Sequence, residues 1–390
     1  LCVSMAMAQG TADSIEIDDK WYEIIRDTVE YQLYINSNQL LEKNIAVPLN
    51  LYSHFYNVNG EDAWCYGETA PECKAIDTEY SQYKVYYLIE SEKDFKLFVD
   101  IINTRVVEFE FNAFLTSDLD FAFYNKGDEK CEYDGADTLK PIYQHFGDFD
   151  GGNHTIQGLC YQNLDMNGDN LVAALFVSKE GGNIRNLRIK NSYFESYSAA
   201  AARAAAALVG SGWANFDKIS IDSVTVKAGE GGSAGALIGD LVENYQYIVD
   251  ISISNSYIAG TNAGGFAGTI SSTGDSIVDI SISNSHIAGT NAGGFAGTIS
   301  STGGSISKVI LKDLRIEGLM PASNIAGFVG RVEKSDLVES LYLYNLYSEG
   351  VLLEGEDGIE NIEKKHFVNV SEEANATISA SYVITDSLAV

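Results

Sequence analysis

The sequence is poor in basic side chains and in long apolar runs. Its 25 Lys and Arg residues are outnumbered by 55 Asp and Glu residues, giving a formal net charge of −30 at pH 7. This balance argues against nucleic-acid binding, because phosphate groups attract Lys and Arg and repel carboxylates. No stretch is long and apolar enough to cross a membrane as a helix. We therefore expect neither a nucleic-acid partner nor a transmembrane span, and the acidity favours the solubility of an exported protein.

Motifs of metal and phosphate chemistry are also missing. The chain has no C-x-x-C pair for zinc, no H-E-x-x-H stretch and no phosphate-binding loop. Its five histidines are scattered, at His54, His145, His154, His286 and His366, which argues against a histidine metal site. These absences predict that the chain is not an enzyme and has no resident cofactor, with calcium as the alternative.

Tandem repetition is the strongest pattern that is present. Residues 248–276 (IVDISISNSYIAGTNAGGFAGTISSTGDS) are followed at once by a second copy, residues 277–305. The two copies differ at two of 29 positions, Tyr257 against His286 and Asp275 against Gly304. Such duplication is tolerated when each unit packs mainly against its neighbours, which is the property of a solenoid.

Weaker copies flank the identical pair at a similar period. The apolar centre of the small-residue stretch GGFAG recurs at Leu175, Leu208, Leu237, Phe266, Phe295 and Phe328. Alternating apolar pairs recur at Leu187/Ile189, Ile219/Ile221, Ile251/Ile253, Ile280/Ile282, Val309/Leu311 and Leu341/Leu343. Two residues after each pair stands Asn191, Ser223, Asn255, Asn284, Asp313 or Asn345. Asn and Asp tolerate left-handed backbone, so we interpret this last set as a polar ladder at a corner.

Alternation with a period of two indicates short strands, and their recurrence predicts one coil of a β-solenoid per unit. Successive coils of about 29 residues would stack at about 4.8 Å through parallel pairing. The Ala-rich stretch Ser198–Leu208 is interpreted as a strand with an expanded corner, with a short helix as the alternative.

These repeats resemble the GLUG motif of bacterial surface proteins. The resemblance covers about residues 86–350 and implies a right-handed parallel β-helix. Residues 86–103, 112–121 and 146–159 resemble the segments that form a short helix, a first strand and an opening rung in that family. GLUG repeats also occur in some immunoglobulin A-cleaving metallopeptidases. Because this chain lacks H-E-x-x-H, that activity is not expected here.

The remaining segments suggest an exported protein. Residues 1–8 resemble the end of a signal peptide, since Ala6-Met7-Ala8 fits a small-x-small cleavage site. We predict a small α+β cap or domain over 9–85 and a C-terminal tail, or the start of a further segment, over 351–390. Cleavage would leave four cysteines, which predicts the disulfides Cys65–Cys73 and Cys131–Cys160.

Two groups of polar residues are candidates for a site. Asp148 and Asp150, near His154 in GDFDGGNH, either bind calcium or act in acid–base chemistry, or simply belong to a glycine-rich turn. The second group is an outward column of Tyr193, Thr225, Tyr257, His286, Arg315 and Tyr347. Its rings and planar groups would stack on sugars or on a partner's surface. The alternative is that Tyr and Thr simply favour exposed strand positions.

We therefore predict a non-catalytic bacterial module, secreted or on the cell surface, for adhesion, ligand binding or spacing. Its partners would be surface glycans, or proteins of a host or a neighbouring cell. One alternative is a polysaccharide lyase or glycosidase on the same scaffold, for which the stacked pair Asp250 and Asp279 is the weak candidate. Another alternative is a subunit of a self-assembling surface filament.

Overall fold

The computed structural model describes residues 14–17, 19–26, 44–49, 85–104, 111–125, 130–131, 139–163, 172–196, 204–243, 246–272, 274–300, 304–321, 323–333, 341–355, 358–361, 368–370 and 378–384. Cys65, Cys73, the predicted signal-peptide remnant and most of the Ala-rich stretch lie outside these residues. The described part of the chain contains no helix that is both long and apolar enough to cross a membrane.

Within the described N-terminal residues, the elements are short strands and one helix, α1 (Glu92–Thr104). The strands are β1 (Ser14–Ile17), β2 (Lys20–Ile24), β3 (Ile45–Pro48), β4 (Val85–Ile89), β5 (Asn112–Leu115), β6 (Leu119–Asp120), β7 (Tyr124–Asn125), β8 (Lys130–Cys131), β9 (Ile142–His145), β10 (Phe149–Asp150), β11 (Thr155–Gln157) and β12 (Cys160–Asn163).

The repeat region and the C-terminal segment are built from strands throughout their described residues. These strands are β13 (Phe176–Ser196), β14 (Ala204–Ala206), β15 (Val209–Ala228), β16 (Ser233–Gly235), β17 (Ile238–Leu241), β18 (Tyr247–Ser254), β19 (Tyr257–Gly264), β20 (Ala267–Ile270), β21 (Ser276–Ser283), β22 (His286–Gly293), β23 (Ala296–Ile299), β24 (Ser305–Lys312), β25 (Arg315–Gly318), β26 (Asn324–Ala326), β27 (Val329–Val332), β28 (Leu341–Glu349), β29 (Leu352–Gly355), β30 (Gly358–Asn361), β31 (Val368–Val370) and β32 (Ile378–Ile384).

Each strand of the repeat pairs in parallel with its equivalent one coil further along. In β18, β21 and β24, Ile251 pairs with Ile280, and Ile280 with Val309. The strands β19 and β22, and β20 and β23, pair in the same way. The result is a parallel β-solenoid of about six turns, which confirms the predicted fold class. β14 shows that the end of the Ala-rich stretch is a strand.

The solenoid interior is filled by the apolar columns that the periodicity predicted. The Phe266, Phe295 and Phe328 rings stack at 4.7 and 4.8 Å, almost parallel to one another. The chain can turn beside these rings because the flanking residues are small. A Cβ on Gly264 would lie 2.0 Å from the Ala267 carbonyl oxygen, so this corner requires glycine.

The predicted polar ladder lies at a corner, as expected. Its members Asn191, Ser223, Asn255, Asn284 and Asp313 all have left-handed backbone, with φ between 46° and 57°. A second left-handed corner was not predicted, and it comprises Asn186, Lys218, Asp250, Asp279 and Lys308.

The register of the coil after β27 differs from the prediction. Tyr347 pairs with Ile310 and Leu352 pairs with Arg315, so Tyr347 is not in the outward column. Gly350, with φ of 64°, follows Asp313 at the corner in place of Asn345. The prediction was wrong because β28 alternates along its whole length, and alternation alone does not say which apolar residue begins the coil.

The ends of the solenoid continue the same sheet. Strands β2, β3, β4 and β5 pair in parallel, so β2 and β3 of the predicted cap extend the solenoid, and β1 pairs with β2 in the antiparallel direction. At the other end, β31 and β32 pair in parallel with β27 and β28. Helix α1 begins after Ser91, whose hydroxyl accepts a hydrogen bond from the Asp94 amide, and its apolar face packs into the core.

Candidate functional site

An open groove of about 740 Å³ runs along the solenoid axis and crosses five coils. One wall is the left-handed corner, formed by Ser223, Asn255, Asn284, Asp313 and Gly350. The other wall is the outward column, formed by Thr225, Tyr257, His286, Arg315 and Leu352. Val224, Ser256, Ser285 and Leu314 form the floor between them, and Tyr124 stands at one end. We call this feature the axial groove.

The floor of the axial groove is a buried serine ladder. The Ser256 amide donates to Ser285 Oγ at 3.1 Å, and the Val224 amide donates to Ser256 Oγ at 3.3 Å. Each hydroxyl in turn donates to the carbonyl two residues earlier. The ladder satisfies backbone groups that the corner leaves without strand partners, which makes the floor rigid. Repetition of Asn-Ser-Tyr or Asn-Ser-His marks these serines in the sequence, but the prediction missed them.

The outward wall carries two neighbouring rings and a charged group. Tyr257 and His286 meet edge to face with ring centroids 5.1 Å apart. His286 Nε2 hydrogen-bonds with Glu317 Oε2 at 2.8 Å. Arg315 pairs with Glu354 at 2.6 Å and with Glu317 at 3.6 Å. The structure therefore brings Tyr257, His286 and Arg315 together, as the sequence predicted.

Tyr193 and Tyr347, the other two predicted ligand-binding residues, do not line the axial groove. Tyr193 is only 5% exposed, because Tyr124 packs over it with ring centroids 5.4 Å apart. Tyr124 belongs to the β7–β8 hairpin, which the predicted disulfide Cys131–Cys160 ties to the coil beside Tyr193. The Tyr347 hydroxyl donates to Glu349 at 3.0 Å on another column of the solenoid.

Lys227 lies beside the end of the groove where Tyr124 stands, and the sequence pattern did not predict it as a site residue. Its Nζ lies 3.3 Å from the Tyr193 hydroxyl. The same atom lies 5.3 Å from the Tyr193 ring centroid and 5.9 Å from that of Tyr257. The equivalent residues in the two identical coils are Ala259 and Ala288, so no repeated pattern draws attention to this lysine.

The corner wall presents exposed side-chain amides. Asn255 donates one amide hydrogen to Asp222 at 2.7 Å, and the Ser254 hydroxyl also donates to this carboxylate. Burial acts to raise the pKa of Asp222, but these hydrogen bonds and the charge of Lys190 outweigh it and hold the pKa below its usual range. Asn284 is exposed, and within the described residues its side chain makes no hydrogen bond.

The candidate calcium ligands lie elsewhere, and protein donors satisfy them. Asp148 accepts hydrogen bonds from the Tyr86 hydroxyl at 3.0 Å and from the Asn183 side chain at 2.7 Å. Asp150 pairs with Arg185 at 2.8 Å. Burial, followed by the Asp148 charge, raises the pKa of Tyr86, so its hydroxyl stays a donor. This arrangement corresponds to the turn interpretation, with the two carboxylates joining adjacent coils.

No metal centre is formed by the residues that the structure describes, since no three His, Cys, Asp or Glu side chains converge there. Asp250 and Asp279, the weak candidates for catalysis, occupy successive positions of the second left-handed corner. Asp279 pairs there with Lys308 at 3.3 Å. Both aspartates thus occupy left-handed corner positions, which accounts for their recurrence without a catalytic role.

The stretch Gly231–Gly235 (GGSAG) matches the spacing of a nucleophilic-serine motif. That chemistry requires a serine raised on a strand-to-helix turn beside a histidine. Here Ser233 is 6% exposed in the short strand β16, and its hydroxyl shares a hydrogen bond with Thr269 at 2.8 Å. Burial raises the pKa of the neighbouring Asp240, against hydrogen bonds from Ser233 and Thr269. The stretch is a buried polar corner between coils.

Fold and site together define a parallel β-solenoid with an axial groove. No family model matches the chain, and no curated protein matches it. Among solved structures, a candidate immunoglobulin A1 protease from Bacteroides ovatus aligns at 18% identity with a TM-score of 0.49. The alignment covers 77% of this chain and 84% of that chain. Membership of the GLUG family stays a prediction.

Proposed function

We propose that the chain is a non-catalytic β-solenoid module, secreted or on the cell surface, that binds a linear glycan in the axial groove. The observation that carries this proposal is the repeated pairing of exposed corner amides with rings across one continuous groove. Sugars present apolar C–H faces that stack on rings and hydroxyls that need both donors and acceptors. Asn255 and Asn284 supply amide groups opposite Tyr257 and His286.

The repeat of the groove also suits a repetitive ligand. Coils stack at about 4.8 Å, which is close to the length of one sugar unit in an extended glycan. Five coils line the groove, so its length is roughly 20 Å. Equivalent positions on successive coils would therefore meet successive sugar units.

The charged groups support binding over hydrolysis. Glycosidases need two carboxylates that flank the scissile bond. Glu317 is engaged by His286, and Glu354 by Arg315. Across the groove from Tyr257 and His286 stand amides, and the corner carboxylate Asp313 lies one coil further along, opposite Arg315. No carboxylate therefore stands directly opposite the two rings.

The proposed location rests on separate observations. The Cys131–Cys160 disulfide supports an oxidising compartment, because cytosolic thiols are generally kept reduced. The predicted signal-peptide remnant and the GLUG resemblance support the same location. An adhesive role follows if the bound glycan belongs to another cell or to an extracellular matrix.

The test is a glycan-array screen followed by calorimetry on the best polysaccharide. The double variant Tyr257→Ala and His286→Ala should weaken binding at least tenfold, because each lost stacking contact is worth about 0.5–1.5 kcal/mol beyond its buried area. Tyr347→Ala is the matched control, since it removes a half-buried tyrosine outside the groove. Equal affinity of the double variant and the control, or no binding to any glycan, would refute the proposal.

A further inference from the structure

The axial groove is blocked at one end. Tyr124 packs on Tyr193, and the Cys131–Cys160 disulfide fastens its hairpin over the coil that would continue the groove. Cys160 pairs with Tyr193 in register, so the covered positions belong to the same outward column as Tyr257. In the other direction the groove reaches Leu352, which is 38% exposed. An extended ligand in the groove is therefore blocked at this end by Tyr124, and we call this closed end the wall.

A cation without a carboxylate partner stands beside this wall. Lys227 is half-buried, lies between the rings of Tyr193 and Tyr257, and makes no ion pair within the described part of the chain. Its register neighbour Glu195 instead accepts hydrogen bonds from the Tyr193 hydroxyl and the Gln162 side chain. A half-buried ammonium in a chain of net charge −30 would ordinarily be paired, so its position favours an anionic ligand group.

The charge beside the groove changes from positive at the closed end to negative at the far end. The column that contains Glu195 on the covered coil and then Lys227 continues through Ala259 and Ala288, which leave room beside the rings. The same column then reaches Glu317 and Glu354. Arg315 pairs with both carboxylates and offsets one negative charge, and Asp313 adds a further one on the corner wall. The net charge at the far end is therefore negative, which disfavours acidic groups there. The groove thus favours one negative charge at the wall and neutral units beyond it.

We infer that the axial groove recognises the end of a glycan whose terminal residue carries a carboxylate and whose following residues are neutral. Lys227 Nζ binds the terminal carboxylate, and Tyr124 leaves no room for a further sugar residue at that end. Tyr257 and His286 contact the next sugar units. This inference deepens the proposed function and rests on it. It adds the chemical class of the ligand and a mode of binding at the chain end.

The test compares three oligosaccharides of one length by calorimetry. The first has a carboxylated terminal residue, the second has that carboxylate reduced to an alcohol, and the third carries the acidic residue internally. We expect the first to bind about tenfold to a hundredfold more tightly than the second, as for a charge-assisted hydrogen bond. The third should bind no better than the second, because the wall keeps an internal acid away from Lys227.

Substitutions assign the preference to Lys227. Lys227→Met keeps the aliphatic stem and should abolish the preference, so that the carboxylated and the reduced glycan bind with equal affinity. Lys227→Arg should retain most of the preference. Lys218→Met, on the same strand but at an exposed corner outside the groove, is the matched control. Thermal unfolding of each variant confirms that it is folded.

The outcomes separate this inference from the proposed function. Binding of the reduced glycan that depends on Tyr257, without any preference for the terminal acid, would overturn the inference and keep the proposed function. Persistence of the preference in Lys227→Met would also overturn the inference. Absence of binding by all three oligosaccharides, and by every glycan in the array, would overturn both.

Discussion

Removal of one coil tests the solenoid most directly. Deletion of residues 252–280 joins Ile251 to Ser281, which restores the native sequence across the junction because the two copies are the same there. The coils on either side of the deletion keep their strand register, because β18, β21 and β24 form equivalent parallel pairs. We expect a folded protein that is shorter by about 4.8 Å and has a groove shorter by one coil.

The magnitude follows from the size of the unit. Marginal stability of roughly 0.05–0.15 kcal/mol per residue gives a loss of about 1.5–4 kcal/mol for one coil of 29 residues. The control is a deletion one residue shorter, 252–279, which leaves an additional Ile280 in the middle of the strand. A slip of one residue turns inward side chains outward. Exposing Ile251 and a second isoleucine of this strand would lower the free energy of unfolding by about 3–6 kcal/mol more.

Urea unfolding followed by circular dichroism measures both deletions, and small-angle X-ray scattering measures their lengths. The expected order of stability is wild type, then the deletion 252–280, then the deletion 252–279. If the two deletions were equally destabilised, strand register would not govern stability here. If the deletion 252–280 failed to fold, the coils would not be interchangeable units, and the reasoning from duplication to solenoid would be wrong.

Three further predictions concern stability. Phe295→Ala, in the middle of the ring stack, should lower the free energy of unfolding in urea by about 3–5 kcal/mol, and a loss below about 1 kcal/mol would show that the stack is not close-packed. Because the pKa of Asp222 is lowered in the folded state, its stabilising contribution is present above the unfolded value of about 3.9 and is lost as pH falls through the folded value. Asp222→Asn should therefore flatten the acid limb of the stability–pH curve, and an unchanged limb would contradict this sign. Replacing Cys131 and Cys160 by serine opens a loop of 29 residues and should lower the free energy of unfolding by about 3.5 kcal/mol. The wild-type protein with its disulfide reduced should have the same stability as this variant, and a difference between them would contradict the prediction.

Local patterns predicted the parts of the fold that each coil determines by itself. Inward Ile residues were identified by alternation, because side chains of a strand point to opposite faces, and inward Phe residues by the recurrence of GGFAG. The corner was identified by Asn and Asp, because few other residues tolerate left-handed backbone. The observed φ values at Asn255 and Asn284 confirm that interpretation. Three of the predicted ligand-binding residues, Tyr257, His286 and Arg315, line one groove for the same reason.

Long-range packing decided the rest. Tyr193 has the sequence surroundings of an exposed column residue, but Tyr124 of a distant hairpin covers it. Lys227 became part of the site only because that hairpin blocks the groove beside it. Alternation could not choose the register of the coil that contains Tyr347, because either choice places a leucine of β28 inside. The register found puts Leu346 in the column of Val309 and the buried Ser348 in that of Leu311.

The sequence by itself determined a repeated coil with an inward face, a left-handed corner and an outward column, since these depend on residues close together in the chain. The tertiary structure alone decided where the groove ends, which ring is buried, and that Lys227 lies beside the closed end without an ion pair in the part of the chain that the structure describes. Those features depend on contacts between segments far apart in sequence, and neither period nor composition encodes such contacts.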